Sequence, residues 1–133
     1  MKKILITYIL LFPAFLFPTK TYAGWTLVDI QPNGDKYFYD SENIKKSDGL
    51  VYFWRLVSLG QQVSLGQQME GMKSGAIYRQ TDCSIGRLKN IYMVVYSGPD
   101  GTGEILIREE LEEGWEYPHP GSVDDRLLEL VCE

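Results

Sequence analysis

Histidine is nearly missing from this 133-residue chain, where His119 stands alone, and cysteine appears only as Cys83 and Cys132. One imidazole excludes multi-histidine metal sites and leaves few options for a catalytic dyad. If the two thiols pair, no thiolate nucleophile remains either. Basic residues are also outnumbered, 13 Lys and Arg against 18 Asp and Glu, for a net charge of −5. That balance argues against nucleic acid, which selects a basic face. After residue 23 no apolar run approaches the roughly 20 residues of a membrane-spanning helix. Phosphate-loop motifs are lacking as well: Asp100-Gly101-Thr102-Gly103 sits between strand patterns, which makes it a hairpin turn.

The beginning of the chain has the layout of a secretory signal. Lys2-Lys3 supply a basic end, Ile4 to Phe17 are almost wholly apolar, and Thr21-Tyr22-Ala23 offers small residues to a signal peptidase. Cleavage between Ala23 and Gly24 would leave residues 24–133 as one domain of 110 residues. Lys2, Lys3 and Lys20 leave with the signal, which takes the net charge from −5 to −8. An exported chain reaches an oxidising compartment, where Cys83 and Cys132 can close a disulfide. Neither cysteine adjoins the cleavage site, so the expected location is periplasmic or secreted, without a lipid anchor.

From Gly24 onward, short apolar runs alternate with turn residues, the pattern of an antiparallel sheet. Trp25 to Ile30 is the first run. Asn33-Gly34 favours a tight hairpin, and Asp35 to Asp40 returns with Tyr37 and Tyr39 on one side and Phe38 on the other. Ser41 to Gly49 is polar, with Ile44 its one residue expected to reach the core. Leu50 to Leu59 is apolar on both sides apart from Arg55. Such a strand belongs mid-sheet, covered on both faces or covered on one and aromatic-rich on the other. Ala76 to Cys83, Arg87 to Ser97 and Thr102 to Arg108 complete six expected strands, the last two joined by the turn Gly98-Pro99-Asp100-Gly101.

The period changes at the end of the chain. Ser122 can cap a helix, with Asp125 three residues on, and Asp124 and Asp125 suit the positive end of the helix dipole. Val123, Leu127, Leu130 and Val131 form a stripe at helical spacing over about ten residues. Such a short helix is marginal alone, so it must dock on the sheet. A Cys83–Cys132 disulfide would close a 49-residue loop and contribute about 4 kcal/mol by chain entropy.

Two segments stand apart. Val57-Ser58-Leu59-Gly60-Gln61-Gln62 is repeated at once as Val63-Ser64-Leu65-Gly66-Gln67-Gln68. Two copies cannot build a solenoid. A tandem duplication fits a surface loop, where extra length costs little, and an alternative is a hairpin projecting a Gln-rich tip toward a partner. Glu109 to Glu116 holds five carboxylates, but not at the alternating positions of a calcium loop, so it reads as a solvated loop. No metal, cofactor or catalytic residue is expected. The candidate partner-binding residues are Gln61, Gln62, Gln67 and Gln68 on the repeat and Trp54 on the aromatic strand.

The landmarks in order are Trp25, the Tyr37-Phe38-Tyr39-Asp40 run, the aromatic strand from Val51 to Leu56, Ser74, and the strand from Tyr78 to Cys83. After them come the Arg87 strand, a Gly-rich turn, Trp115, and a Pro-Gly-Ser entry to a helix ending in Val131-Cys132. This order resembles the surface-adhesin protein E family of small exported bacterial proteins. The resemblance implies an α+β fold: a curved antiparallel sheet with a C-terminal helix tied to it by the disulfide. It further implies a non-enzymatic binding protein that contacts host matrix or envelope proteins. Family members are held at the outer surface by lipidation, and this chain departs there because it has no lipid-acceptor cysteine. An alternative expectation follows from the acidic charge: a periplasmic inhibitor or accessory protein steered onto a cationic target such as a lysozyme-like enzyme. An exposed edge strand would also offer a route to a homodimer.

Overall fold

The computed structural model describes residues 24–60 and 71–133. Seven antiparallel strands form one sheet, followed by a single helix: β1 (Trp25–Ile30), β2 (Lys36–Asp40), β3 (Lys45–Ser47), β4 (Leu50–Ser58), β5 (Ser74–Asp82), β6 (Arg87–Tyr96), β7 (Ile105–Glu110) and α1 (Val123–Val131). The order across the sheet is β1-β2-β4-β5-β6-β7, with β3 pairing β4 beside this path. Both edges, β1 and β7, remain open among the described residues, and each carries a bulge or register shift.

The seventh strand lies in the segment expected to be polar connection. Lys45-Lys46-Ser47 is fully exposed and has no apolar alternation to announce it. Its signal is the following Asp48-Gly49, whose φ angles of 53° and 78° make the two-residue hairpin that Asp-Gly favours. Ile44 just before it packs against the core, as expected. Two other boundaries shift. β7 starts at Ile105 rather than Thr102, because Pro99–Gly101 forms a 3-10 turn whose amides are bound elsewhere. It also extends through Glu109 and Glu110, so part of the acidic stretch is strand and not loop.

That turn folds onto one face of the sheet. The amide of Asp100 donates to Ser58 Oγ at 3.1 Å, and the Gly101 amide donates to Ser74 Oγ at 2.9 Å. Ser74 Oγ in turn donates to the Gly98 carbonyl at 2.7 Å. These bonds satisfy two serines buried between strands, and the turn covers Leu56, which has no exposed surface.

The opposite face takes the helix. Val51 and Phe53 of β4 pack with Leu127 and Val131 of α1, with Val28, Tyr39 and Val123 around them. Phe53 and Leu127 are wholly buried. Leu130, expected on this stripe, is instead 40% exposed: contact follows the i, i+4 line from Val123 through Leu127 to Val131, and Leu130 falls at its margin. The N-cap forms as the residues require. Ser122 Oγ accepts from the Asp125 amide at 3.2 Å, while the Asp125 carboxylate reaches back to the Gly121 amide at 2.9 Å. At the other end Cys132 is bonded to Cys83, with Cα atoms 5.6 Å apart.

Candidate functional site: the open aromatic face

Strand register gathers aromatic side chains on the face that the helix leaves uncovered. Trp54 lies opposite Tyr78, and Tyr78 opposite Tyr92, while Tyr52 is two residues from Trp54 on the same strand. Directly opposed residues project to the same side of a sheet, as do residues two apart. The ring centroids of Trp54 and Tyr78 are 5.0 Å apart, and those of Tyr52 and Tyr78 are 6.1 Å apart. Tyr92 meets Trp54 edge-on at 6.1 Å. All four rings are partly exposed. Gln80 Nε2 donates to the Tyr52 hydroxyl at 3.1 Å, which fixes that ring's orientation. Partial burial first, then the neighbouring Tyr52, push the Tyr78 hydroxyl above its ordinary pKa, so it stays a neutral donor at physiological pH.

Cations and a second indole extend the row. The guanidinium of Arg87 lies 4.2 Å from the Trp115 ring and the Lys89 ammonium 5.8 Å from it, close enough for cation–π attraction. Lys45 is opposite Tyr52, Lys89 opposite Gln80, and Arg108 opposite Val94. Arg87 is engaged by Asp82 at 3.3 Å. Ser84 Oγ donates to the same carboxylate, and that bond, more than Arg87, holds Asp82 below the usual carboxylate range. Farther along the face, Trp25, Leu27, Ile30, Lys36, Phe38 and Asp100 line a shallow hollow of about 320 Å³.

The helix side of the same strands is arranged differently. Arg79, buried on β5, donates from Nη1 to Asp124 at 2.5 Å and from Nε to Asn90 at 2.9 Å. Arg55 reaches the same carboxylate only at 3.7 Å, and its Nε is buried without a partner among the described residues. Burial first, and then repulsion from Arg79, lower its pKa from the ordinary arginine range to about 10. One aspartate in the first turn of α1 thus serves two arginines. Nothing in periodicity or spacing foretold this pairing across 45 residues, because a strand arginine and a helix aspartate reveal their contact only once the helix is docked.

Of the expected site residues, Trp54 falls at the centre of the aromatic row. Gln61, Gln62, Gln67, Gln68 and Ala23 lie outside the described residues, and Gly24 immediately precedes β1 with a φ of 75°. Tyr52, Tyr78, Tyr92 and Trp115 were not singled out, although the alternation of β4 and β6 could have placed the tyrosines opposite Trp54 had the register been known. His119 borders a separate depression of about 420 Å³ with Glu116, Tyr117, Ser122 and Asp124. Among the described residues no group of three His, Cys, Asp or Glu could hold a metal ion, and no helix is long and apolar enough to cross a membrane.

A family model described as surface-adhesin protein E matches residues 25–133. The fold is similar to solved structures of Haemophilus influenzae protein E. Crystal form II of that protein shares 18% identity and superposes with a TM-score of 0.62, covering 83% of this chain and 87% of the other. Protein E from non-typeable Haemophilus influenzae shares 19% identity with a TM-score of 0.59, covering 86% and 79%. The comparison with curated protein sequences returns no match.

Proposed function

The chain belongs to the surface-adhesin protein E family, and from that premise we propose that its open aromatic face is the contact surface of a non-enzymatic, exported, adhesin-like protein. The observation that carries this reading is the row Tyr52, Trp54, Tyr78 and Tyr92, partly exposed and left uncovered by the helix. Tyr and Trp dominate binding energy at protein interfaces because a rigid ring contributes large area at small entropic cost. The partner is a host matrix protein or an envelope protein, met after residues 1–23 are removed as a signal.

A second reading rests on charge. Asp125, Glu129 and Glu133 on or after α1 join Glu116 near it, and this acidic side suits a periplasmic protein that docks on a cationic enzyme. Such a complex weakens steeply as salt rises, whereas an aromatic contact does not.

Protease shaving of intact cells, with a periplasmic control that stays protected, separates the two. Loss of the protein from intact cells is expected for an adhesin and leads to pull-down on host matrix proteins, with capture by wild type and loss in Trp54→Ala. Protection until the outer membrane is opened overturns surface display and sends the search to periplasmic partners.

A further inference from the structure

The open face differs in charge from the molecule that carries it. Its strands present Lys36, Lys45, Arg87, Lys89 and Arg108 against Asp40, Asp82 and Glu110, and the turn folded onto it adds Asp100 beside Lys36. Two of those carboxylates are already engaged: Asp82 by Arg87 and Ser84, and Asp40 by Asn43 and the Glu42 amide. Among the described residues, Lys36, Lys45, Lys89 and Arg108 form no ion pair. A chain whose exported part carries a net charge of −8 therefore keeps a cationic margin around its aromatic row, which calls for an anionic occupant.

We propose that this face binds an acidic polysaccharide, with sugar rings stacked on Trp54 and Tyr78 and carboxylate or sulfate groups held by Lys45 and Lys89. The inference rests on the open face being the contact surface, and it names the chemistry held there. Sugar rings offer flat C–H faces to aromatic rings and hydroxyls at their edges. The centroid spacing of 5.0 to 6.1 Å is about that of successive units along a glycan. Gln80 and the Tyr52 hydroxyl, bonded to each other beside the rings, supply polar groups that sugar hydroxyls can meet. Single-stranded nucleic acid also stacks on aromatic sheets, but its charge at every nucleotide demands a more basic protein than this one.

The test measures binding of the exported protein at physiological salt to immobilised heparin, hyaluronan, neutral dextran and an oligothymidylate. Binding to heparin or hyaluronan but not dextran is expected, and the choice between those two separates sulfate from carboxylate recognition. Trp54→Ala and Tyr78→Ala should each weaken it about tenfold, the scale of one lost stacking contact. The double variant Lys45→Gln/Lys89→Gln, on polar side chains outside the core, should weaken binding and flatten its salt dependence; it keeps the test valid if an aromatic variant fails to fold. No binding to either acidic glycan, equal binding to dextran, indifference to both sets of substitutions, or tighter binding to the oligothymidylate each overturns the proposal. If no glycan binds while Trp54→Ala still abolishes capture of a protein partner, the glycan inference alone fails and the contact face stands.

Discussion

The two faces of strands β4 and β5 are built from alternate residues of the same segments, yet they solve opposite problems. On the helix side, Val51, Phe53, Arg79 and Thr81 are buried, and the space between helix and sheet is closed by apolar packing and one shared carboxylate. On the other side, Tyr52, Trp54 and Tyr78 stay partly exposed, and their rings touch one another instead of a covering layer. An antiparallel sheet needs only one buried face to be stable. The second face is then free to carry rings whose composition looks like core and whose exposure does not. Hydrophobicity alone cannot tell these faces apart; the position of α1 does.

Adjacent residues give the sharpest way to break that comparison. Phe53→Ala removes a wholly buried ring from the cluster with Leu127 and Val131 and should cost roughly 4–5 kcal/mol. Trp54→Ala, one residue on and facing the other way, should cost about 1–2 kcal/mol through its ring contacts while abolishing partner capture. Chemical denaturation of both variants checks the contrast. Equal destabilisation would mean the open face is core after all.

The disulfide comes next in size. Reduction should destabilise the protein by about 2–4 kcal/mol and loosen the helix, because Cys132 immediately follows α1. The Trp54–Tyr78 contact does not involve the helix, so the near-UV signal of that pair should outlast the loss of helix order. Melting curves and near-UV spectra that superimpose with and without reductant would refute the staple.

A smaller and more selective contrast lies between the two arginines. Removing Arg79 by substitution to Met leaves Asp124 and Asn90 without their main donor, and breaking a buried pair this way costs about 3 kcal/mol. Arg55→Met should stay within about 1 kcal/mol of wild type, because it removes a desolvated cation with a weak partner. The sign follows from its lowered pKa. A base whose pKa falls to about 10 when folded, below the ordinary arginine range, holds its proton less firmly in the native state, so its charge opposes folding at neutral pH. That opposition is relieved as pH rises through about 10. Urea titrations of the two variants at neutral pH decide it.

Much of this architecture was legible before any coordinates. The Asn33-Gly34 and Gly98–Gly101 turns, the doubly apolar β4, the Ser122 cap and the Cys83–Cys132 pairing each follow from local rules that the folded chain obeys. β3 was missed because three exposed residues have no face to bury, so only the Asp48-Gly49 turn betrays them. Leu130 was placed in the core because periodicity gives the stripe but not its width. The aromatic face was half legible. Trp54 stood out by type, whereas Tyr78 and Tyr92 become its neighbours only through the β4–β5–β6 register, with its bulge between Tyr78 and Arg79. Register is a long-range property, and so are the ion pairs of Arg55 and Arg79.

The smallest expected effect tests whether the open face also has ordered charge chemistry at its edge, where β5 turns into β6. Asp82 accepts from Ser84 at 2.7 Å and from Arg87 at 3.3 Å, and Arg87 lies over Trp115, so one carboxylate orients the cation that holds the indole. Its folded pKa is below the ordinary value of 3.8, chiefly through the Ser84 hydroxyl. A depressed carboxylate pKa contributes stability that is complete above the ordinary value and is lost as pH falls through the folded one. Wild type should therefore lose part of its thermal stability as pH falls below the ordinary carboxylate value through this group, and Asp82→Asn should lose less over the same descent while starting lower at neutral pH. The same substitution should change the fluorescence of Trp115, because Arg87 is no longer tethered. Cys83 in this turn is tied to the C-terminal end of α1, whereas the Arg79–Asp124 pair sits at the helix's N-terminal end, so Arg79→Met should keep its own response, insensitive to the Asp82 change. Additivity of the two substitutions would confirm that the faces are energetically separate; coupling between them would show that the sheet transmits strain from one face to the other.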